Sequence, residues 1–264
     1  MLPPLQTRKT IRQDQGESKL RETSNREFLV SVVCVTLNAA KNLPFLIKSV
    51  RDHKTDLIEF VIVDGKSNDG TLDLLKENED VIDFWISKPD EGIYDAMNRA
   101  LNYIRGKWVI FLGADDLLLE GFEKAVDKLE DPLTIYYGNV LWHGKPFSKI
   151  YDDYYLTKLN ICHQIIFYPR AVFMQYNFNL QYPVYADYHL NLRCWNDRRF
   201  KFAHINHFIS YFHHGGFSSY TKDPAFETDR NMLFRKYLKM SSYYRYLNRT
   251  LGFFGMFMRF IQNR

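Results

Sequence analysis

The chain has 264 residues, 46% hydrophobic and 16% aromatic, enough to bury the core of one large α/β domain or of one domain with an appendage. Its three cysteines, Cys34, Cys162 and Cys194, are odd in number and far apart, which excludes a disulfide scaffold or a zinc module and predicts free thiols in a reducing compartment. The formal charge of +4 is mild but uneven: residues 230–264 carry eight Lys and Arg and no Asp or Glu, so the rest of the chain is net acidic.

Residues 1–27 are polar and aperiodic, without the apolar core of a signal peptide, and predict a flexible tail, with a short docked helix as the alternative. Residues 28–36, rich in β-branched side chains, predict a first buried strand. Asn42-Leu-Pro44 then opens a helix with Leu46, Ile47 and Val50 at helical spacing. A second strand over 59–63 runs into Asp64-Gly-Lys-Ser-Asn-Asp-Gly-Thr71, small turn-forming residues that let a backbone approach a ligand. A helix over 72–77, a strand over 82–87 and a helix over 93–104 follow.

The strand expected at 108–112 ends in Asp115 and Asp116, before Leu117-Leu-Leu119 resumes the apolar pattern. An ion stranded in low dielectric costs several kcal/mol, so these acids must sit at the strand tip facing solvent, a basic side chain or a cation. Strand–helix alternation predicts a mostly parallel sheet flanked by helices, and such sheets bind ligands beyond the carboxyl ends of their strands. The second half predicts strands at 134–138, 140–143, 165–168 and 208–212, a helix over 187–196, and a flexible loop over 213–217. One or two helices are expected from about Phe226 onward.

Six stretches stand in order along residues 28–220. They are Ser31-Val-Val-Cys-Val-Thr-Leu-Asn38, Val63-Asp-Gly-Lys-Ser-Asn-Asp-Gly-Thr71, Lys88-Pro-Asp-Glu-Gly-Ile-Tyr-Asp-Ala-Met-Asn98, Phe111-Leu-Gly-Ala-Asp-Asp116, His163-Gln164, and Ala186-Asp-Tyr-His-Leu-Asn-Leu-Arg193. Together they resemble the family 2 glycosyltransferases, inverting enzymes of the GT-A fold that use nucleotide-diphosphate sugars. The resemblance implies a catalytic domain over 28–222, with a nucleotide-sugar half (28–120) and an acceptor half (121–222), and a basic helical extension over 223–264.

It further implies that Thr36 and Asn38 hold the nucleotide and that Asp64 accepts from base or ribose, with loop capping as the other role for Asp64. Asp69 is read as a turn or N-cap residue. Asp90, Asp95 and Asn98 flank the donor, Asp95 as the preferred contact and Asn98 as a cap for backbone groups. Asp115 and Asp116 match the metal motif, in which Mg²⁺ or Mn²⁺ bridges protein and diphosphate. Gly113 replaces the first acid of that motif, which leaves Asp115 as the direct ligand and Asp116 bound through water or to sugar hydroxyls. Asp187 matches the general base, with a helix N-cap as the competing role. His163 and Gln164 are expected beside donor or acceptor, with a buried hydrogen-bonded His as the alternative. Arg193 is expected on a phosphate or a nearby acid, and His214 on a metal or phosphate.

In the tail, nine aromatics between Phe234 and Phe260 alternate with Lys and Arg, and the apolar stretch 252–258 is too short to span a bilayer. Cationic amphipathic helices of this kind lie in the headgroup plane of anionic membranes; packing on the catalytic domain or on a second subunit is the alternative. The expectation is a cytoplasmic enzyme, peripheral on the inner membrane, acting on a saccharide or lipid-linked acceptor in surface polysaccharide assembly, with no nucleic-acid partner. Two rivals stand beside it: a nucleotidyltransferase, disfavoured because the loop after Thr36 lacks glycines and basic residues, and a catalytically impaired sugar-nucleotide-binding scaffold, suggested by Gly113.

Overall fold

A computed structural model describes the backbone of residues 27–213 and 221–262, with side chains through residue 252. The expected N-terminal tail lies outside the described residues except for Glu27. Three parallel strands run through the centre of the core: β1 (Val30–Thr36), β2 (Ile58–Asp64) and β4 (Trp108–Gly113). β1 and β2 are buried at every position, as a sheet covered on both faces requires, and these strands read as continuous apolar runs for that reason. β3 (Phe84–Ser87) extends the parallel set along the far edge of β2. Register aligns the strand ends, with Thr36 opposite Asp64, Asp64 opposite Ser87, and Val35 opposite Gly113.

The intervening helices seal these faces. α1 (Leu43–His53), opened by Pro44, buries Leu43, Leu46, Ile47 and Val50. α2 (Thr71–Glu77) buries Leu75, and α3 (Ile93–Ala100) buries Tyr94, Ala96, Met97 and Ala100. α3 stops four residues before the expected Ile104, because Asn102 and Tyr103 form tight turns back to the Arg99 and Ala100 carbonyls. β3 begins two residues later than expected. Asp83 still donates its amide to the Phe60 carbonyl (2.9 Å), but the Phe60 amide is taken by the Asp83 side chain (2.8 Å), which also accepts from the Lys54 ammonium (2.6 Å), so the regular ladder starts only at Phe84.

Beyond β4 the sheet turns mixed. β8 (Ile166–Pro169) pairs antiparallel with β4 and with β6 (Thr134–Trp142), and β9 (Lys201–Phe212) runs parallel to β6. The short β5 (Leu117–Leu118) closes the far side of β9, and β7 (Lys145–Phe147) hairpins onto β6. The two strands expected at 134–138 and 140–143 are therefore one, continuous through an irregular register at Gly138, where Ile209 packs so closely that a Cβ would fall 2.3 Å from its Cγ1. β7 and the six-residue α4 (Gly121–Val126) carry too few residues to give a periodic signal.

α5 (Arg170–Phe173) and α6 (Ala186–Asn196) follow β8. The tail forms two helices, α7 (Pro224–Tyr237) and α8 (Met240–Gln262). Asp223, fully buried, caps α7 through the Phe226 amide and also accepts from the Val184 and Tyr185 amides, each at 3.0 Å, which ties the tail to the segment entering α6. α8 docks through Arg245 over the Tyr154 ring (3.8 Å) and Tyr246 against Phe234. No helix among the described residues is long and apolar enough to cross a membrane.

Candidate active site

The carboxyl ends of β1 and β4 open into a cavity of about 570 Å³, walled by α3 and by the segment before α6. Thr36, Asn38, Asp90, Asp95, Asp115, Asp116, His163 and Gln164 all line it, so eight of the candidate contacts singled out in the sequence converge from four separate stretches. Asn38 sits at φ 51°, and its side-chain oxygen accepts from the Asn68 amide, which fastens the loop after β1 to the loop after β2. Asp69 makes the second fastening, accepting from the Ala40 and Thr71 amides, and has the turn role expected of it. Asn98 grips the Phe178 backbone through both its N–H and C=O (2.9 Å each), also as expected.

Asp64 is placed differently from its primary expectation. It is fully buried, and its carboxylate is occupied by the Ser67 amide (2.9 Å), the Ser67 hydroxyl and the Ser87 hydroxyl (2.6 Å). It does not line the cavity; it shapes the loop beside it, the alternative weighed from sequence. Asp90 does line the cavity and packs against Gly65; burial raises its pKa, while Asp95 is held by Arg99 (3.1 Å) and by the Glu91 amide (3.1 Å).

Two buried oxygens in this cavity lack partners among the described residues: Thr36 Oγ1 and Asp116 Oδ1. Buried polar atoms are almost always paired, so this couple on the cavity wall has hydrogen-bonding capacity for water, an ion or a polar group that enters the cavity. Asp116 is 1% exposed, and its other oxygen takes the Gly113 amide (2.7 Å). Burial first, then the charge of Asp115, push its pKa up to about 7, against the smaller opposing pull of the Gly113 amide, His163 and Gln164. A Cβ on Gly113 would stand 2.8 Å from Asp115 Oδ1 and 3.2 Å from Asp116 Oδ2, so the two carboxylates converge over the glycine.

A divalent cation fits this donor set in one manner. Among the described residues no three His, Cys, Asp or Glu side chains cluster as metal ligands. Two carboxylates completed by phosphate oxygens and water is the arrangement Mg²⁺ favours, and a cation there would relieve both the unpaired oxygen and the repulsion between the acids.

A second cavity, about 400 Å³, lies on the other side of Tyr94, His163, Gln164, Val184 and Phe212, which line both. Asp187 faces the second cavity from the first turn of α6, 5% exposed. Its Oδ1 accepts from the Tyr188 amide (2.7 Å) and lies 3.0 Å from the Tyr94 hydroxyl, whose single proton is shared with the Val184 carbonyl at 2.9 Å. Its Oδ2 lies 3.1 Å from His163 Nδ1. The N-cap of α6 is Tyr185, without a side-chain cap; Asp187 serves the first turn of the helix through Oδ1 alone, on the Tyr188 amide, and no backbone amide is bonded to its Oδ2 among the described residues. A carboxylate held on one oxygen and approached by a single imidazole on the other keeps a lone pair for an incoming hydroxyl, the geometry a general base needs.

Arg193 is not brought to either cavity. Six residues along α6 from Asp187, it points to the opposite end of the helix, with its guanidinium 4.1 Å from the Tyr176 ring centroid. His214 and most of the 213–217 loop lie outside the described residues. Tyr94 went unassigned from sequence although its stretch was identified; its role depends on Asp187, 93 residues away, and only the fold makes that pairing. Phe212 and Trp142, which line the second cavity, were likewise invisible, because an aromatic in a strand reads as core, and Tyr151 because it stands in an irregular loop with no periodic signal.

The sequence matches the family described as Glycosyl transferase family 2 over residues 31–259. It is 35% identical over 212 residues to a PGL/p-HBAD biosynthesis glycosyltransferase of Mycobacterium tuberculosis, covering 75% of this chain and 82% of that one. The fold is similar to that of S. aureus TarS. Its 1–349 fragment in complex with UDP-GlcNAc superposes with a TM-score of 0.66 at 15% identity, over 86% of this chain and 73% of the fragment, and this chain spans 43% of a longer TarS chain. The mannosyltransferase PcManGT of Pyrobaculum calidifontis, in complex with GDP-Man and Mn²⁺, gives a TM-score of 0.58 at 16% identity, over 86% of this chain and 76% of that one.

Proposed function

The chain belongs to glycosyltransferase family 2, and on that premise we propose that it moves a sugar from a nucleotide-diphosphate donor in the first cavity to an acceptor hydroxyl in the second, with inversion at the anomeric carbon. The observation that carries this is the shared wall: Asp187 is fixed to Tyr94 and His163 from the acceptor side, while Asp115 and Asp116 converge on the donor side of the same wall.

In this reading Thr36 and Asn38 hold the nucleotide, and the unpaired Thr36 hydroxyl is the group that the donor satisfies. Asp90 and Asp95 border the donor from the start of α3, and Asp64 keeps the neighbouring loop in shape. Gln164 and His163 stand between donor sugar and acceptor. Asp187 Oδ2 takes the proton from the acceptor hydroxyl as its oxygen attacks the anomeric carbon, and the bond to the diphosphate breaks on the opposite face. Tyr94 and the Tyr188 amide hold Asp187 in line during that transfer. Asp115 and Asp116 would hold Mg²⁺ or Mn²⁺, which when bound neutralises charge developing on the departing nucleoside diphosphate. The Mn²⁺ in the mannosyltransferase complex supports that assignment.

The basic aromatic half of α8 would rest on an anionic membrane surface, suiting a lipid-linked acceptor in surface glycan assembly. The donor site is tested by thermal stability with UDP, GDP, dTDP and CDP, each with and without Mn²⁺. A nucleotide at ~100 times its Kd adds roughly 2.7 kcal/mol. One nucleotide should give such a shift, enlarged by metal; no shift with any of the four contradicts the proposal.

A further inference from the structure

We propose that Asp223, at the start of the tail, is a positioning residue for the transfer: through one shared peptide group it fixes the Tyr94 hydroxyl against Asp187. The proposal rests on reading Asp187 as the general base. Asp223 is fully buried, and three backbone amides meet its side chain. Oδ1 accepts from Phe226 (3.0 Å), and Oδ2 accepts from both Val184 and Tyr185 (3.0 Å each). The Phe226 bond alone caps α7, and a serine would cap it as well. Capping leaves the second oxygen without a task, and that oxygen is given entirely to the segment entering α6.

The peptide group between Val184 and Tyr185 is therefore held at both edges. Its N–H, from Tyr185, donates to Asp223, and its C=O, from Val184, accepts from the Tyr94 hydroxyl at 2.9 Å. A trans peptide is planar, with N–H and C=O on opposite edges, so fixing one edge fixes the other. The Tyr94 hydroxyl has one proton and two acceptors, that carbonyl and Asp187 Oδ1 at 3.0 Å. The position of the carbonyl thus sets how the proton is divided and where Asp187 is held. Val184 lines both cavities and Tyr185 the second, so the clamped peptide is itself part of the wall between them. A misplacement of about 1 Å at such a wall can slow a reaction by about 10²-fold. By this route the tail takes part in a site formed by residues far before it in the chain.

Asp223→Ser tests the proposal, because serine keeps the cap on Phe226 but is too short to hold the two further amides. The full chain is labelled with ¹³C at the tyrosine ζ carbon, whose NMR shift follows hydrogen bonding of the hydroxyl, and Tyr94→Phe identifies the Tyr94 line. Asp223→Ser should move that line. Beside it, release of nucleoside diphosphate is followed from UDP-glucose, UDP-N-acetylglucosamine, GDP-mannose or dTDP-rhamnose, with water as the acceptor. The water oxygen bonds to the anomeric carbon, its proton passes to Asp187, and the anomeric bond to the diphosphate breaks. Asp223→Ser and Tyr94→Phe should each slow release by about tenfold, and the double variant no further, since both act through one peptide group. The nucleotide-induced thermal shift should stay at the parent value, which shows that the variants are folded. Leu233→Ala, which loosens α7 at a buried position away from the clamp, should lower the melting temperature without moving the Tyr94 line or slowing release. An unmoved Tyr94 line overturns the proposal. So does release at the parent rate in either single variant, a double variant slowed by about a hundredfold, or a Leu233→Ala protein that reproduces the Asp223→Ser effects. If the parent releases no nucleoside diphosphate from any of the four donors, the donor reading falls instead, and the Tyr94 line still decides the clamp.

Discussion

Asp116 carries the local tension of the site: a carboxylate 1% exposed, beside a second carboxylate, with one oxygen unpaired. Replacing it with Asn keeps the shape and removes the charge. The Asp116→Asn protein without ligand should melt no lower than the parent, or higher by the equivalent of about 1 kcal/mol, because repulsion is relieved. The enlargement of the nucleotide shift by Mn²⁺ should disappear in the same variant. A ligand-free loss of several kcal/mol, or an undiminished metal effect, would show that Asp116 is structural. Gly113→Ala tests the convergence from the other direction. The added methyl would press within about 3 Å of both carboxylates, so metal-dependent stabilisation should weaken while the fold is kept. At this scale the sequence was legible where position on a strand tip decides what reaches the cavity, as for Thr36, Asp115 and Asp116. It was opaque where function needs a partner from elsewhere in the chain. Tyr94 has meaning only opposite Asp187, and Asp64 shows itself as a loop anchor only once Ser87 is brought beside it from the neighbouring strand.

Among elements, the end of the sheet away from the site is tied by a buried charge. Glu59, at the start of β2, accepts from the Ser31 hydroxyl (2.6 Å), the Gly106 amide (3.1 Å) and the Arg105 guanidinium (2.8 Å). Gly106 is needed for that approach, since a Cβ there would fall 2.5 Å from the Ser31 amide nitrogen. Glu59→Ala removes the carboxylate that gathers these donors, leaving the Gly106 amide only the Ser31 hydroxyl (2.9 Å), and should cost about 3 kcal/mol in chemical denaturation, the low end for a broken buried pair because Arg105 reaches solvent. A loss under about 1 kcal/mol would contradict it. The α6–α7 contact carries a pH signature. His189 sits between the Tyr182 and Tyr237 rings, and burial, reinforced by Arg193 and Lys236 and opposed by Asp229, lowers its pKa from 6.5 to about 4. The fold therefore favours neutral imidazole. The stability it contributes is whole above pH 6.5 and is lost as pH falls from there through about 4, where the unfolded chain binds the proton and the folded one resists it. His189→Leu should flatten that part of the stability profile; an unchanged profile would refute the assignment. Most of these elements were readable from apolar runs and helical spacing. β9 was only half read, because its first residues place His204 and Asn206 in a polar network with Asn139 of β6, and that network gives no apolar alternation to follow.

For the whole molecule, two cavities meet at one wall, and the tail is anchored beside the second of them. Lys239, just before α8, donates its amide to Asp153, and Arg245 of α8 covers Tyr154, in the same loop that contributes Tyr151 to the second cavity. Sedimentation with anionic vesicles should recover the full chain at low salt and lose it as salt rises, while a chain ending at residue 247 should stay in solution. Absence of the full chain from the pellet with anionic vesicles would assign the tail to protein packing alone, and equal recovery with neutral vesicles would contradict the electrostatic contact. The pairing of donor and acceptor sides across Tyr94 and His163 is the centre of the account, and Asp187→Asn tests it most directly. The variant keeps the hydrogen-bonding outline but cannot accept the proton, so transfer from the nucleotide-sugar should fall by about 10²–10⁴-fold while the nucleotide-induced thermal shift stays at the parent value. Turnover near the parent rate would remove Asp187 from the chemistry and with it the proposed division of the two cavities.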